Sequence, residues 1–336
     1  MNMGTPAAFI AALAMSIGFS ALLVNFLFRH ARRIGMLALP GARQSHAEPT
    51  PTGTGAGMVA ALAMSSVIMA QFFPLSGSWQ HYVLPATVVL SAVGWLDDRF
   101  SLSRLLRLAI QLLVSLGLLV LLSSGPNDPP WWFWPLGAMA IVWVMNAYNF
   151  MDGSHGMAGF QGVFAGLVLC LLFLDAGEPG LALPALLLSG VCLGFLPVNF
   201  PVARAFMGDA GSVPLGFALA ALISLGINLG ALPLSIGLMV LVLFLVDSSL
   251  TLLSRVFRGE RWYTPHKQHM YQRLIDLGWS HSRVLLLYQA INLLVVAPVI
   301  ILARTYPDLA CVLAGGMFLL LTTGWYLASL RLGVRN

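Results

Sequence analysis

Long apolar stretches alternate with short polar breaks along the whole chain, near 7 to 28, 57 to 73, 82 to 96, 104 to 122, 132 to 148 and 159 to 174. Five more follow near 182 to 198, 212 to 229, 232 to 253, 284 to 303 and 309 to 330. A helix of about twenty residues crosses a hydrocarbon layer of roughly 30 Å. Segments apolar on every face suit lipid or a bundle interior rather than the surface of an aqueous domain. The pattern predicts an all-α, polytopic membrane helical bundle of about 11 transmembrane helices, with 1 to 336 forming a single membrane domain. Neither a repeat of solenoid period nor an inverted repeat of the transporter kind is evident.

Composition strengthens this reading. Hydrophobic residues make up 59% and charged residues 9%, against roughly 25% charged in soluble domains. A soluble dinucleotide-binding enzyme is excluded on that ground. The formal charge of +5 matters less than where the charges fall. With eleven segments, the odd-numbered loops share a side with the C-terminus, and that side collects every Lys and Arg except Arg304. That asymmetry predicts an outside N-terminus and a cytoplasmic C-terminus, in a bacterial inner membrane. The basic excess is therefore an orientation signal, and no nucleic acid partner is expected.

Arg29, Arg32 and Arg33 follow the first stretch rather than precede it, which reads as an anchor contacting anionic lipid and not as a cleaved signal. The opposite face carries Asp128, Asp175, Glu178 and Asp308, with Trp131, Trp132 and Trp134 as an interfacial belt. Cys170, Cys192 and Cys311 fall within apolar runs and read as small buried residues.

Candidate chemistry is confined to the odd-numbered loops. Loop three opens on Asp97 and Asp98, adjacent carboxylates at the inner end of an apolar segment, followed by Arg104 and Arg107. Adjacent anions there repel unless a cation binds them, although capping the next helix is the simpler role. Loop five packs Asn146, Asn149, Asp152, His155 and three glycines into Asn146 to Gly159, where backbone N–H groups at a helix start suit phosphate oxygens. Loop seven ends in Phe206-Met207-Gly208-Asp209-Ala210-Gly211-Ser212. Asp97, Asp98, Asp152 and Asp209 are four of the twelve acids, and such oxygen ligands suit Mg²⁺, which takes one or two carboxylates plus substrate phosphates. Mn²⁺ is an acceptable substitute.

Loop nine contains Arg255, Arg258, Arg261, His266, Lys267, His269 and Arg273. Two His without Cys at ligand spacing make a poor zinc site. Facing acids and metal, these cations and imidazoles read as diphosphate clamps, with Arg104 and Arg273 binding phosphate. An acid within a span is costly and a functional hypothesis in itself. Asp247 is followed by Ser248, Ser249 and Thr251 and divides evenly between a structural and a site-supporting role.

Taken together in this order and spacing, Asp97-Asp98, Asn149 to Gly159, Phe206 to Ser212 and His266 to Arg273 resemble the polyprenyl-phosphate N-acetylhexosamine-1-phosphate transferases (glycosyltransferase family 4), which include the phospho-N-acetylmuramoyl-pentapeptide transferase. The resemblance implies Mg²⁺-dependent transfer of a sugar 1-phosphate from a UDP-N-acetylated amino sugar to polyprenyl phosphate, releasing UMP. It makes Asp209 a metal ligand and sets Asn149 and Asp152 around nucleotide and metal. Asp97 and Asp98 lie near the reacting phosphates, with Asp97 the expected base because it is nearer the membrane-side acceptor. His266 and His269 contact diphosphate or sugar.

Two departures qualify the resemblance. Relatives carry a basic residue in the glycine-rich part of loop one, where this chain has Thr52, Gly53 and Thr54, so Arg43 or His46 is expected to substitute. Consecutive loop-nine histidines mark the muramoyl-pentapeptide branch. Here Lys267 and Gln268 separate His266 from His269, which favours an enzyme initiating O-antigen or a related surface glycan. The competing class is a secondary transporter using Asp247. Homodimerisation is left open.

Overall fold

A computed structural model describes residues 6–38, 50–123, 132–261, 264 and 266–332. Arg43, His46, Asp128 and Trp131 lie outside the described residues. Helix α1 (Pro6–Ile34) leads through strands β1 (Leu37–Ala38) and β2 (Thr50–Pro51), an antiparallel pair with Leu37 opposite Pro51, into α2 (Gly55–Met69). A π-helical turn, Trp79–Val83, runs into α3 (Leu84–Phe100), followed by α4 (Arg104–Leu122), α5 (Phe133–Phe150), α6 (Met157–Asp175), α7 (Pro179–Asn199) and α8 (Asp209–Asn228). The remainder is α9 (Leu234–Val240), α10 (Val242–Phe257), α11 (Met270–Asp276), α12 (His281–Ile291), a π-helical turn Asn292–Val296, α13 (Ala297–Thr305) and α14 (Ala310–Arg331).

Helix stands on each of the eleven apolar stretches. By length and apolarity, seven helical runs among the described residues can cross a membrane, or eight if α9 and α10 count as one. The stretch near 232 to 253 is not a single straight span, because α9 and α10 meet at 80°. The carbonyl of Val240, freed at that break, accepts from Gln161 Nε2 at 3.1 Å, and Gln161 Oε1 accepts from Asn292 Nδ2 at 2.8 Å. In lipid a broken helix persists only where such partners exist. Helix α3 is short, at 17 residues, and α3 and α5 both end in polar last turns. Asp97, Asp98 and Arg99 end the one, and Asn146 and Asn149 the other.

Helices α7 and α8 are almost wholly buried; α7 packs between α1 and α6, while α3 and α5 pack on α8. Small residues permit this closeness. Gly190 and Gly194 of α7 lie against Ser16 and Ser20 of α1, and Ser20 Oγ donates to the Val191 carbonyl at 2.6 Å. Cys170 and Cys192 are buried as expected, whereas Cys311 is exposed on the outer surface of α14.

The odd-numbered loops meet at one end of the bundle. At the other, Arg304 Nε is 2.6 Å from Asp175 Oδ2. That partner offsets the misplaced charge.

Candidate active site

The site is built around the start of α8. Gly208 precedes it with φ +72° and ψ 178°, a conformation essentially confined to glycine. The Asp98 carboxylate, from the last turn of α3, accepts from the backbone N–H of Asp209 at 3.1 Å and of Ala210 at 3.2 Å. Asp98 therefore caps α8, a distant helix, rather than α4, and its charge complements the positive helix N-terminus. Gly94, one turn earlier in α3, lets the two backbones approach, because a Cβ there would run into Asp209 and Ala210.

Asp209 is held from two sides. Its Oδ2 accepts from Arg107 at 2.8 Å and its Oδ1 from Asn149 Nδ2 at 2.7 Å, and Asn149 also reaches Ser212 Oγ at 2.8 Å. Arg107 bridges to Asp97 Oδ2 at 2.5 Å. Loop one completes the frame through backbone bonds, from Phe206 N to the Pro51 carbonyl at 2.8 Å and from Gly55 N to the Met207 carbonyl at 3.0 Å. The Thr-Gly-Thr segment thus seats loop seven, with Thr54 Oγ1 donating to the Phe206 carbonyl at 2.9 Å.

These acids crowd one another. Burial, then the Asp209 charge, pushes Asp98 up to about 7 against two backbone hydrogen bonds that lower it. Burial followed by Asp209 and Asp98 drives Asp152 well above the usual carboxylate range. Four carboxylates converge here, with Arg107 paired to two of them. The cluster is short of positive charge, and a bound cation would restore the acids to their ionised forms.

A cavity of about 340 Å³ opens beside the acids. Asn149, Asp152, Gly153 and His155 of loop five form one wall, with Gly208 and Asp209 at the base. Lys267, Tyr271 and His281 close the loop-nine side, and Thr52 contributes from loop one. Asp97 and Asp98 stand behind Asp209, not on the cavity surface.

The described cavity wall leaves out several of the residues expected there. Arg104 is exposed at the first residue of α4, and Arg107, one turn on, reaches the acids. Helix phase explains the difference, since Ser103 caps α4 by accepting from Leu106 N at 3.2 Å. His266, His269 and Arg273 are absent from the described cavity wall. Arg273 instead donates to the Gln268 carbonyl at 2.7 Å and lies over the Trp325 ring at 5.5 Å. Burial, with His269 and Arg255 nearby, lowers His266 to about 4. Lys267 is the loop-nine cation on the cavity wall.

His281 and Tyr271 also line the cavity, with no signal for it in the sequence. His281 stacks on His155 with ring centroids 3.8 Å apart, and its Nδ1 is 2.9 Å from Ser154 Oγ. Tyr271 donates to the Phe150 carbonyl at 3.0 Å. Arg107 had a legible signal, because Arg107, Gln111 and Ser115 recur every four residues on an otherwise apolar helix. Gln111 and Ser115 are both buried.

Among the described residues no three His, Cys, Asp or Glu form a closed metal cage. Mg²⁺ does not need one, because it keeps water and phosphate oxygens alongside one or two carboxylates. Asp209 and Asp152, both on the cavity surface and both in an acid cluster short of counter-charge, fit that donor set.

Comparison with known sequences bears directly on this arrangement. The profile of glycosyl transferase family 4 matches residues 81–227, the stretch from the turn before α3 to the end of α8. The chain is 34% identical over 309 residues to a phospho-N-acetylmuramoyl-pentapeptide-transferase of Synechococcus, covering 82% of this chain and 87% of that protein. The chain belongs to glycosyl transferase family 4. A decaprenyl-phosphate N-acetylglucosaminephosphotransferase of Mycobacterium tuberculosis is 30% identical over 299 residues, covering 76% of this chain and 73% of that protein. A Bacillus subtilis protein named as a probable undecaprenyl-phosphate N-acetylglucosaminyl 1-phosphate transferase is 27% identical over 296 residues, or 83% and 81% of the two chains. The family match spans Asp97, Asp98, Asn149, Asp152 and Asp209, the residues that converge on α8.

Proposed function

We propose that the chain transfers an N-acetylated amino-sugar 1-phosphate from a UDP-sugar to polyprenyl phosphate, such as undecaprenyl phosphate, and releases UMP. The reaction takes place at the cytoplasmic face of a bacterial inner membrane and initiates a surface glycan of the O-antigen kind. The observation that carries this reading is the convergence of Asp97, Asp98, Asn149, Asp152 and Asp209 beside an open cavity at the polar end of an apolar bundle. A cytosolic nucleotide and a membrane-held acceptor can meet only at such an end. Family membership and the names of the relatives support the same substrates.

In the transfer, an oxygen of the acceptor phosphate attacks the β-phosphorus of the UDP-sugar, and the bond from that phosphorus to the oxygen bridging it to the α-phosphate breaks. Asp209 and Asp152 would hold Mg²⁺, which when bound offsets phosphate charge and stabilises the leaving UMP. Arg107 locks Asp209 in place, and the stacked His155 and His281 shape the cavity wall. An acceptor phosphate, with a second pKa of about 6, needs no base near neutrality. This agrees with the geometry, in which Asp97 is tied to Arg107 and Asp98 to the α8 backbone. The expected base role for Asp97 therefore gives way to positioning.

Asp97→Asn and Asp98→Asn should each lower kcat by about 10²-fold through misplacement of Asp209. Both pH profiles should run parallel to wild type. Selective recovery of either variant at higher pH would restore a dedicated base.

The overall reading is tested with purified protein, Mg²⁺, polyprenyl phosphate and a panel of labelled UDP-sugars. A lipid-linked product is expected with an N-acetylated amino sugar and is lost with EDTA. Absence of product across the panel would count against the reading.

The eleven-span topology belongs to the same proposal. Cysteines replacing Asp276, the last residue of α11, and Asp308, in the turn between α13 and α14, should label from the cytoplasm and from outside respectively, in a Cys311→Ser background. The reverse pattern would invert the orientation.

Transport through Asp247 lacks support. Its carboxylate already accepts four hydrogen bonds, and one comes from the loop-nine residue Met270, which places it toward the loop end and not at the midplane.

A further inference from the structure

Asp247 of α10 lies apart from the acidic cluster and is only 3% exposed. Its Oδ1 accepts from Met270 N at 2.8 Å, Trp325 Nε1 at 3.1 Å and Thr251 Oγ1 at 3.2 Å, and its Oδ2 accepts from Tyr288 OH at 2.8 Å. The donors come from α10, α11, α12 and α14. An ionised carboxylate is acceptor-only, with about four lone-pair sites, and this environment matches that form.

One neighbour is left unsatisfied. His269 Nδ1 is buried, has no hydrogen-bond partner and lies 4.0 Å from Asp247 Oδ1. Buried polar atoms without a partner are rare enough to need an explanation. The imidazole plane is fixed by its neighbours. It stacks on Phe150 at 5.8 Å and 28° and on Tyr271 at 6.0 Å and 12°, and the Tyr271 hydroxyl donates to the Phe150 carbonyl. Phe150 and Tyr271 both line the cavity. His269 is thus the link between the buried carboxylate and the cavity wall.

We infer that Asp247 is a positioning residue for His269, holding the Nδ1 edge toward the bundle so that the imidazole braces Phe150 and Tyr271 where they line the cavity. The effect of this brace on turnover rests on the reaction proposed above. The coupling between the two side chains does not. The charged and titratable groups around the ring are Asp247 and Arg255 of α10, Arg273 and Tyr271 of α11, and His266 of the preceding loop. Burial lowers the His269 pKa, with Arg273 and Arg255 acting in the same direction, and Asp247 opposes them. An isosteric helix-pinning role would need the four hydrogen bonds but not the charge.

The test titrates His269 by NMR in the purified full-length protein labelled at histidine, with His269→Gln assigning the signal. Asp247→Asn keeps the shape and removes the charge, and should lower the His269 pKa by about 1 unit. Trp325→Phe removes one competing donor from Oδ1 while keeping a ring for Arg273. It should raise the pKa, which keeps the inference open to refutation even if Asp247→Asn fails to fold. An unmoved pKa in either folded variant, or shifts in the same direction, would overturn the coupling. In turnover, His269→Gln should cost about 10²-fold in kcat/KM by displacing the cavity wall, and adding Asp247→Asn should cost little more. Multiplying losses would make Asp247 merely structural. Opposite pKa shifts in a protein inactive on every UDP-sugar would preserve the coupling and refute the proposed reaction instead.

Discussion

Asp209→Asn is expected to lower turnover by about 10³-fold while the bundle stays folded. The substitution keeps volume but exchanges one carboxylate oxygen for an amide. Asp209 accepts from Arg107 through Oδ2 and from Asn149 through Oδ1, and an asparagine cannot accept through both positions. One donor loses its partner, and the cavity loses an anion suited to a divalent cation. Lewis-acid stabilisation is worth several kcal/mol, and about 4 kcal/mol corresponds to the factor given. The fold should survive because Asp98 still caps α8 through backbone groups that the substitution leaves unchanged. Turnover at saturating Mg²⁺, beside the thermal midpoint in detergent, separates the effects. Near-normal turnover would remove Asp209 from the reaction.

Gly208→Ala should be nearly as damaging, for a reason that lies in the backbone. At φ +72° and ψ 178° a residue with a Cβ is strained by about 1–3 kcal/mol. The new methyl would also press on the Asp98 carboxylate and lie 2.8 Å from the Gly53 nitrogen. Asp98 must then leave the α8 N–H groups, and a shift of about 1 Å at Asp209 can cost ~10²-fold in rate. Gly177→Ala provides the control. That glycine also has positive φ, +77°, but open space around its Cβ and no place in the site. It should lose stability and keep turnover. Equal turnover losses in both variants would mean that general destabilisation, not the Asp98 to α8 contact, explains the result.

What was legible in the sequence was mostly local. Apolar length placed helix on every expected stretch, and acids beside glycines or at helix ends in loops three, five and seven identified the cluster that converges on α8. Long-range features escaped. Nothing in Val240-Leu241-Val242 signals the 80° bend, because the carbonyl it frees is satisfied by Gln161, which is 79 positions away. Asp98 looked like a cap for α4, its neighbour in sequence, yet it caps α8, 111 positions away. Arg104 is nearer the acids in sequence, yet helix phase brings Arg107 to them. His266 and His269 were grouped by type, whereas burial and Asp247 divide them from Lys267, which lines the cavity.

The central claim is that the sugar leaves the nucleotide with a phosphate attached. A UDP-sugar labelled separately at its α- and β-phosphorus, incubated with purified protein and polyprenyl phosphate, tests this directly. The β-label should appear in the lipid as a diphosphate-linked sugar, and the α-label should appear in UMP. Recovery of both labels together in UDP, with an unlabelled sugar on a lipid monophosphate, would show transfer of the sugar alone and contradict the account.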